Sequence, residues 1–69
     1  MVEVFKTNLQ QHELAEQLAC TLRGRLGFCK INFDLEDCDK ILRVEGKQIC
    51  VNSIIEILNT RGLDCELLT

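Results

Sequence analysis

The residues of this chain with the richest chemistry are its cysteines. Five of them occur, at Cys20, Cys29, Cys38, Cys50 and Cys65. No two form a C-x-x-C pair, so the commonest local arrangement for dithiol exchange or soft-metal binding is absent from the sequence. Because five is an odd number, any closed set of disulfides leaves one thiol over. We therefore expect free cysteines in a reducing compartment, the cytoplasm.

A metal site assembled from distant parts of the chain is one use for these groups. His12 and Cys38 would lie at the same end of the predicted domain, with Asp37 and Asp39 beside them. An imidazole, a thiolate and carboxylates suit Zn²⁺ better than Cu(I). A metal site normally needs three or four suitably spaced ligands, and this spacing is missing. We therefore favour a solvated His12 and an exposed Cys38, and we expect no firm metal site and no cofactor.

Carboxylates cluster between two predicted strands, at Asp34, Glu36, Asp37 and Asp39. Such a turn could dock a basic partner or bind Ca²⁺ weakly. The segment has neither the D-x-D-x-D-G order of an EF-hand loop nor its final glutamate, so that type of calcium site is excluded. Polar turns are the rule at hairpin tips, and we favour a solubilising tip.

Cys50 stands at the predicted start of a helix, where the helix dipole lowers the pKa of a thiol and favours reactivity. No resolving cysteine is adjacent in the sequence, and the position is predicted to be half-buried, so a structural role is favoured. Cys29 and Cys65 are predicted to point into the core. Cys20 lies opposite the apolar stripe of its helix and is predicted to be exposed.

Composition and motifs exclude several classes of function. The 69 residues include 8 basic and 11 acidic side chains, a net charge of −3, which does not suit a nucleic-acid-binding surface. RNA-recognition domains also need stacking aromatics, and the chain has no Tyr or Trp. No G-x-S-x-G, H-E-x-x-H or P-loop motif occurs, so we expect no enzyme. No apolar run is long enough for a membrane span, and no leader is visible, so we expect no membrane contact.

The spacing of apolar residues predicts six elements in the order β-α-β-β-α-β. Alternating patterns predict strands at residues 2–5, 28–34, 40–45 and 64–68. The first helix carries Leu14, Ala15, Leu18 and Leu22 at helical spacing. Asn8 and Gln11 form a predicted capping box before it, and Gly24 is predicted to end it.

The second helix is placed by its ends and its apolar stripe. Cys50 is the predicted N-cap, and Gly62 suits the position just after the last turn. Ile49 and Ile54 would then form a hydrophobic staple across the first turn. The predicted buried stripe consists of Ile54, Ile55, Ile57 and Leu58.

This order predicts an α+β, ferredoxin-like fold, with residues 1–69 as a single domain. Two right-handed crossovers around a hairpin give a four-stranded antiparallel sheet of order 4-1-3-2, with both helices on one face. The face away from the helices is predicted to be solvated, with Glu3 pairing with Arg43. Its predicted residues are Glu3, Phe5, Lys30, Asn32, Ile41, Arg43, Glu45 and Glu66.

The chain resembles a heavy-metal-associated domain, the module of copper chaperones and copper-pumping ATPases. The resemblance covers nearly the whole length and rests mainly on V-N-S-I-I-E-I-L-N-T-R-G-L-D-C-E-L-L and on Leu26-Gly27-Phe28 before the second strand. The family binds Cu(I) through M-T-C-x-x-C after its first strand. Here Thr7 matches, but Asn8 and Gln11 stand at the two cysteine positions, and amide oxygens do not replace soft thiolates. The resemblance therefore implies the fold of the family but not its Cu(I) site.

Three hypotheses for function follow. The leading one is a non-enzymatic binding module that contacts another protein after losing its Cu(I) ligands. The second is a Zn²⁺ or copper carrier that uses displaced ligands such as Cys38 and His12. The third is a regulatory domain that binds a small ligand as a homodimer.

Overall fold

The four strands form one antiparallel sheet. The computed structural model describes residues 1–27, 29–36 and 38–68. Its elements are β1 (Val2–Thr7), α1 (His12–Leu26), β2 (Lys30–Asp34), β3 (Ile41–Glu45), α2 (Val51–Thr60) and β4 (Cys65–Leu68). The sheet order is β2-β3-β1-β4, with every pair antiparallel, which confirms the predicted ferredoxin-like arrangement. Among the described residues, no helix has the length and apolar character that crossing a membrane requires.

The core lies between the two helices and one face of the sheet. Phe5 and Leu42 from the sheet and Leu22, Ile54 and Leu58 from the helices are fully buried in it. A second buried cluster extends the core beyond the start of α1 and consists of Leu9, Ala15, Leu18 and Leu35. Each large side chain removed from water contributes about 1.5–3 kcal/mol of hydrophobic stabilisation. The predicted core stripes of the helices are confirmed as fully buried at Leu18, Leu22, Ile54 and Leu58 and as buried at Ala15, whereas Leu14, Ile55 and Ile57 are partly buried.

The residues of β1 that point toward the helices are shifted by one position from the prediction. Phe5 is fully buried beside Leu42, and Glu3 lies on the same helix-covered face. Val2 and Val4 point the other way. Because side chains alternate along a strand, a shift of one residue exchanges the two faces completely. The predicted positions of Glu3 and Phe5 on the far face were therefore wrong.

The predicted Glu3–Arg43 pair is wrong for the same reason. The strand register places Glu3 opposite Val44 and places Arg43 opposite Val4. Residues opposite one another share a face, and neighbours along a strand do not. The two side chains therefore lie on opposite sides of the sheet.

Helix α1 begins and ends later than its sequence suggests. Its N-cap is Gln11, so the capping box predicted from Asn8 does not form. The helix continues through Gly24 to Leu26, and Gly27 follows with a φ of 76°, a left-handed conformation that glycine adopts at little cost. Gly24 and Gly27 were both possible helix-ending residues, and the helix ends at Gly27, which has the left-handed backbone conformation.

The ends of α2 agree with the sequence. Cys50 is the N-cap, and Gly62 follows the helix with a φ of 77°. The Leu63 N–H donates to the Leu58 carbonyl at 3.0 Å, which closes the last turn. Ile49 packs against the core that contains Ile54, as the predicted staple requires. Cys65 and Leu67 of β4 also pack against this core.

Gly46 provides a stability test at the end of β3. A Cβ atom at this position would lie 2.7 Å from Sγ of Cys29, closer than real carbon and sulfur atoms approach. We expect Gly46→Ala to lower the free energy of unfolding by about 1–3 kcal/mol through overpacking. Urea denaturation followed by circular dichroism measures this change.

Two further variants separate the clash from a general effect of alanine. A Cβ atom at Gly24 meets nothing within 4 Å, so Gly24→Ala should raise stability by up to about 1 kcal/mol through helix propensity. Combining Gly46→Ala with Cys29→Ala removes the sulfur and should recover most of the loss. Equal losses with and without Cys29 would contradict the proposed contact.

Candidate functional site

The loop between β1 and α1, which corresponds to the metal motif of the family that the chain resembles, is held by hydrogen bonds within the protein. Thr7 is buried at the end of β1, and its hydroxyl donates to the Lys40 carbonyl at 2.6 Å. The same oxygen accepts the Leu9 N–H at 3.2 Å. The backbone N–H of Thr7 also reaches the Asp39 and Lys40 carbonyls, each at 3.2 Å. Thr7 therefore ties β1 to the start of β3, and its polar atoms are satisfied internally.

Asn8, at the first motif cysteine position, joins this loop to the start of β4. Its Oδ1 accepts the Asp64 N–H at 2.9 Å, and its Nδ2 donates to Asp64 Oδ2 at 3.3 Å. Gln11, at the second position, is the exposed N-cap of α1 and makes no side-chain capping bond. Both side chains offer hard amide atoms and no soft thiolate, and those of Asn8 are already hydrogen-bonded.

The described members of the displaced metal site, His12, Cys38 and Asp39, do not form a metal-binding group. His12 and Cys38 are both exposed. Within residues 1–27, 29–36 and 38–68, no three His, Cys, Asp or Glu side chains come together in a way that would hold a metal ion. Asp37, the remaining member of that predicted set, lies outside the described residues, as does Phe28 of the family-like segment.

The acidic hairpin tip is braced by two lysines. Lys6 Nζ lies 3.8 Å from Asp39 Oδ1, and Lys40 Nζ donates to the Leu35 carbonyl at 2.9 Å. Lys40 itself adopts a left-handed φ of 50°. Asp34 and Glu36 are exposed. Cationic groups thus already lie beside the carboxylates, which weakens the attraction of this turn for a basic partner.

Cys50 is more accessible and more acidic than its predicted structural role implies. All five cysteines carry free thiols, and Cys50 is exposed rather than half-buried. The Ser53 hydroxyl donates to its Sγ at 3.1 Å. This hydrogen bond, aided by the Ser53 backbone amide, lowers the pKa of Cys50 below the ordinary thiol value. By contrast, burial raises the pKa of Cys65 to about 11.

These two pKa shifts predict an order of alkylation. The thiolate is the nucleophile, so at pH 7–8 iodoacetamide should modify Cys50 well before Cys65, which stays protonated until the pH nears about 11. Ser53→Ala should raise the pKa of Cys50 and move its rate profile to higher pH. Peptide mapping by mass spectrometry across pH 6–10 measures both rates. An unchanged Cys50 profile in Ser53→Ala would contradict the assigned hydrogen bond.

The sheet face away from the helices, called the uncovered face below, forms a grid of three rows. Strand register and alternation define the rows in the order β2-β3-β1-β4. The first row is Lys30, Glu45 and Val2; the second is Asn32, Arg43, Val4 and Leu68; the third is Asp34, Ile41, Lys6 and Glu66.

Apolar side chains occupy one corner of this grid. Val2 is 52% exposed and Leu68 is 38% exposed. Val4, which lies directly opposite Leu68, is partly exposed between them. These three residues are called the apolar corner below. The sequence-based prediction missed it because it placed Glu3 and Phe5, rather than Val2 and Val4, on this face and predicted the face to be solvated. The available signal was Phe5, whose larger ring competes for the buried side of the same strand.

The uncovered face carries three cations and three carboxylates, and Arg43 and Asp34 are the two that have no opposite charge across from them on a neighbouring strand. The register places Lys30 opposite Glu45 in the first row and Lys6 opposite Glu66 in the third. In the middle row Arg43 lies between Asn32 and Val4. Arg43 is exposed and has no ion pair with any described residue.

Comparisons of the chain with protein-family models, with curated protein sequences and with solved structures found no match in any of the three.

Proposed function

We propose that this chain is a small non-enzymatic binding module that contacts another protein through its uncovered face. The frame is that of a heavy-metal-associated-like domain without the Cu(I)-binding cysteine pair. The observation that carries the proposal is the apolar corner. Val2 and Leu68 are exposed, and Val4 between them is partly exposed, on the side of the sheet that neither helix covers.

The composition of the uncovered face supports a contact surface. Protein interfaces combine an apolar centre with a polar, charged rim, and arginine is enriched in their energetically important positions. Here Val2, Val4 and Leu68 adjoin Arg43 on one side and Lys6 and Glu66 on another. Covering the apolar corner would remove aliphatic surface from water, which favours association.

The state of the motif-equivalent loop supports the absence of copper binding. The polar side-chain atoms of Thr7 and Asn8 are already hydrogen-bonded to Lys40, Leu9 and Asp64. Cu(I) selects soft thiolate and thioether ligands, and neither Asn8 nor Gln11 supplies one.

Affinity capture with matched variants tests the proposal. Wild-type protein and a Val4→Thr, Leu68→Thr double variant are immobilised and exposed to the same cell extract. Threonine keeps the β-branched shape of valine at position 4 and has a high strand propensity at position 68. At both positions it replaces apolar surface with a hydroxyl. We expect at least one polypeptide that the wild type retains and the double variant releases, with circular dichroism showing that both are folded.

Three other results would contradict the proposal. Identical proteins retained by both chains would place the contact elsewhere or show no specific contact. Stoichiometric Zn²⁺ or Cu(I) binding under reducing conditions, lost in Cys38→Ser, would favour a metal carrier with displaced ligands. An amino-acid-dependent dimer in sedimentation experiments would favour a small-ligand regulatory domain.

A further inference from the structure

We propose that the chain forms a symmetric dimer in which β2 pairs with β2 of a second copy. The two strands run antiparallel about a two-fold axis that passes between the two Asn32 residues, and they join the two four-stranded sheets into one continuous sheet. This interface lies at the edge of the sheet, so it is separate from the contact proposed for the uncovered face.

The hydrogen bonds between β1 and β3 determine which backbone groups of β2 point out of the sheet. Met1 and Gly46 exchange main-chain hydrogen bonds of 2.8 and 3.0 Å at one end of this strand pair. The Thr7 N–H donates to the Lys40 carbonyl at the other end. Because hydrogen-bonded and non-bonded pairs alternate along an antiparallel ladder, the even-numbered residues of β3 bond to β1 and its odd-numbered residues bond to β2.

The same alternation leaves the backbone of Ile31 and Phe33 at the open edge of the described sheet. The odd-numbered residues of β3 lie opposite Lys30, Asn32 and Asp34, which therefore use their N–H and C=O groups within the sheet. The N–H and C=O groups of Ile31 and Phe33 point the other way, where no described strand follows β2. A strand edge of this kind is a template for pairing with another strand.

One register of two antiparallel β2 strands pairs all five residues of the strand. With Asn32 opposite Asn32 of the second copy, Ile31 lies opposite Phe33, and each such pair exchanges two main-chain hydrogen bonds. The same register places Lys30 of each copy opposite Asp34 of the other. A shift of two residues, the smallest that keeps the core side chains on one face, leaves part of each strand unpaired and separates these two charges.

Charge complementarity selects a second copy as the occupant of this edge. Asp34 is exposed, lies opposite the uncharged Ile41 and has no ion pair with any described residue. In the dimer this carboxylate gains Lys30 of the second copy directly across the new strand pair. Lys30 in turn lies between Glu45 of its own chain and that aspartate. Opposite charges across an antiparallel pair stabilise it and fix its register.

The edge of β4, at the other end of the described sheet, offers no comparable register. A two-fold axis perpendicular to the sheet pairs residues that share a face, so even-numbered residues lie opposite even-numbered ones. In the registers that pair most of β4, Glu66 lies opposite Glu66 or Leu68 of the second copy. Neither register pairs opposite charges, and the first brings two carboxylates together, which destabilises the pair.

The surface between α1 and β2 also suits a second copy. A groove of about 250 Å³ lies there, and the small side chains of Ala15 and Ala19 contribute to its wall. The two-fold axis runs the two α1 helices antiparallel on the same side of the joined sheet. Glu16, in the first half of α1, and Arg23, in its last turn, both line the groove. Each helix therefore offers a carboxylate where the other offers a guanidinium, which favours this orientation.

Sedimentation equilibrium of the whole chain, without added ligand, tests the dimer. We expect the wild type to show a reversible monomer–dimer equilibrium. Lys30→Glu and Asp34→Lys each place like charges opposite one another twice in a dimer, so each should weaken self-association about tenfold or more. An equimolar mixture of the two variants should associate about as well as the wild type. In the mixed dimer the new glutamate at position 30 lies opposite the new lysine at position 34, and the two native charges also pair.

Arg61→Glu is the matched control for these variants. It makes the same charge change as Lys30→Glu at an exposed site just after α2, the helix that packs against β4 rather than β2. We expect it to leave self-association unchanged. Circular dichroism shows whether each variant is folded.

Three results would overturn the inference. A wild-type chain that remains monomeric up to its solubility limit has no such interface. A dimer that neither charge variant weakens, or two folded variants that stay monomeric when mixed, would show that β2 does not pair in this register. A dimer that the Val4→Thr, Leu68→Thr variant abolishes would place the second copy on the uncovered face. Because that double variant leaves β2 unchanged, the affinity-capture result and the dimer result are independent, and either proposal can fail alone.

Discussion

Replacing Phe5 with alanine is expected to remove a large part of the protein's free energy of unfolding. Phe5 is fully buried against Leu42 and the two helices, so the change removes a ring from the centre of the core. Truncations of this kind cost about 3–5 kcal/mol, because lost transfer energy and a residual cavity add together. A domain of this length has a total free energy of unfolding of about 3–10 kcal/mol. Urea or thermal denaturation followed by circular dichroism measures the loss.

The adjacent residue supplies a matched control for the facing of β1. Val4 lies on the uncovered face, so Val4→Ala should change the free energy of unfolding by less than about 1 kcal/mol. The opposite outcome, a mild Phe5→Ala and a severe Val4→Ala, would show that the strand faces the other way. In that case the apolar corner would disappear, and with it the main support for a contact surface.

Installing two cysteines in the loop before α1 is expected to create Cu(I) binding. The double variant Asn8→Cys, Gln11→Cys introduces the C-x-x-C spacing of the resembling family's motif into this loop, and two thiolates are the soft ligands that Cu(I) selects. Both positions are exposed, so the new thiols are accessible without opening the core. Competition with a chromogenic Cu(I) chelator under reducing conditions should show one ion bound per variant chain and weaker binding by the wild type.

Serine variants at the same positions control for the altered loop. Asn8→Ser, Gln11→Ser removes the bonds to Asp64 as the cysteine variant does, but it offers no thiolate. Removing Asn8 should cost about 0.5–1.5 kcal/mol in both variants, since each loses a hydrogen-bonded link to β4. If the cysteine variant remains folded yet binds copper no better than the serine variant, the loop geometry differs from that of the family and the resemblance is restricted to the fold.

Local patterns in the sequence determined most of the architecture. Apolar spacing of 3.6 residues placed Leu18 and Leu22 in α1 and Ile54 and Leu58 in α2, and alternation placed the three later strands. The right-handed crossover rule then restricts such an element order to very few topologies, including the observed one. Cys50 and Gly62 marked the ends of α2 because caps and left-handed glycines act over a few residues.

Tertiary pairing alone decided the features that matter for the candidate surface. The segment Val2-Glu3-Val4-Phe5 alternates in either register, and only the row formed by Phe33, Leu42, Phe5 and Leu67 directs the ring inward. Asn8 satisfies the capping pattern locally, yet it bonds to Asp64, 56 residues away. Long-range contacts of this kind outweigh local preferences because they bury more apolar surface or satisfy a distant backbone group. The apolar corner and the unmatched Arg43 follow from the register between strands, and no local sequence pattern records that register.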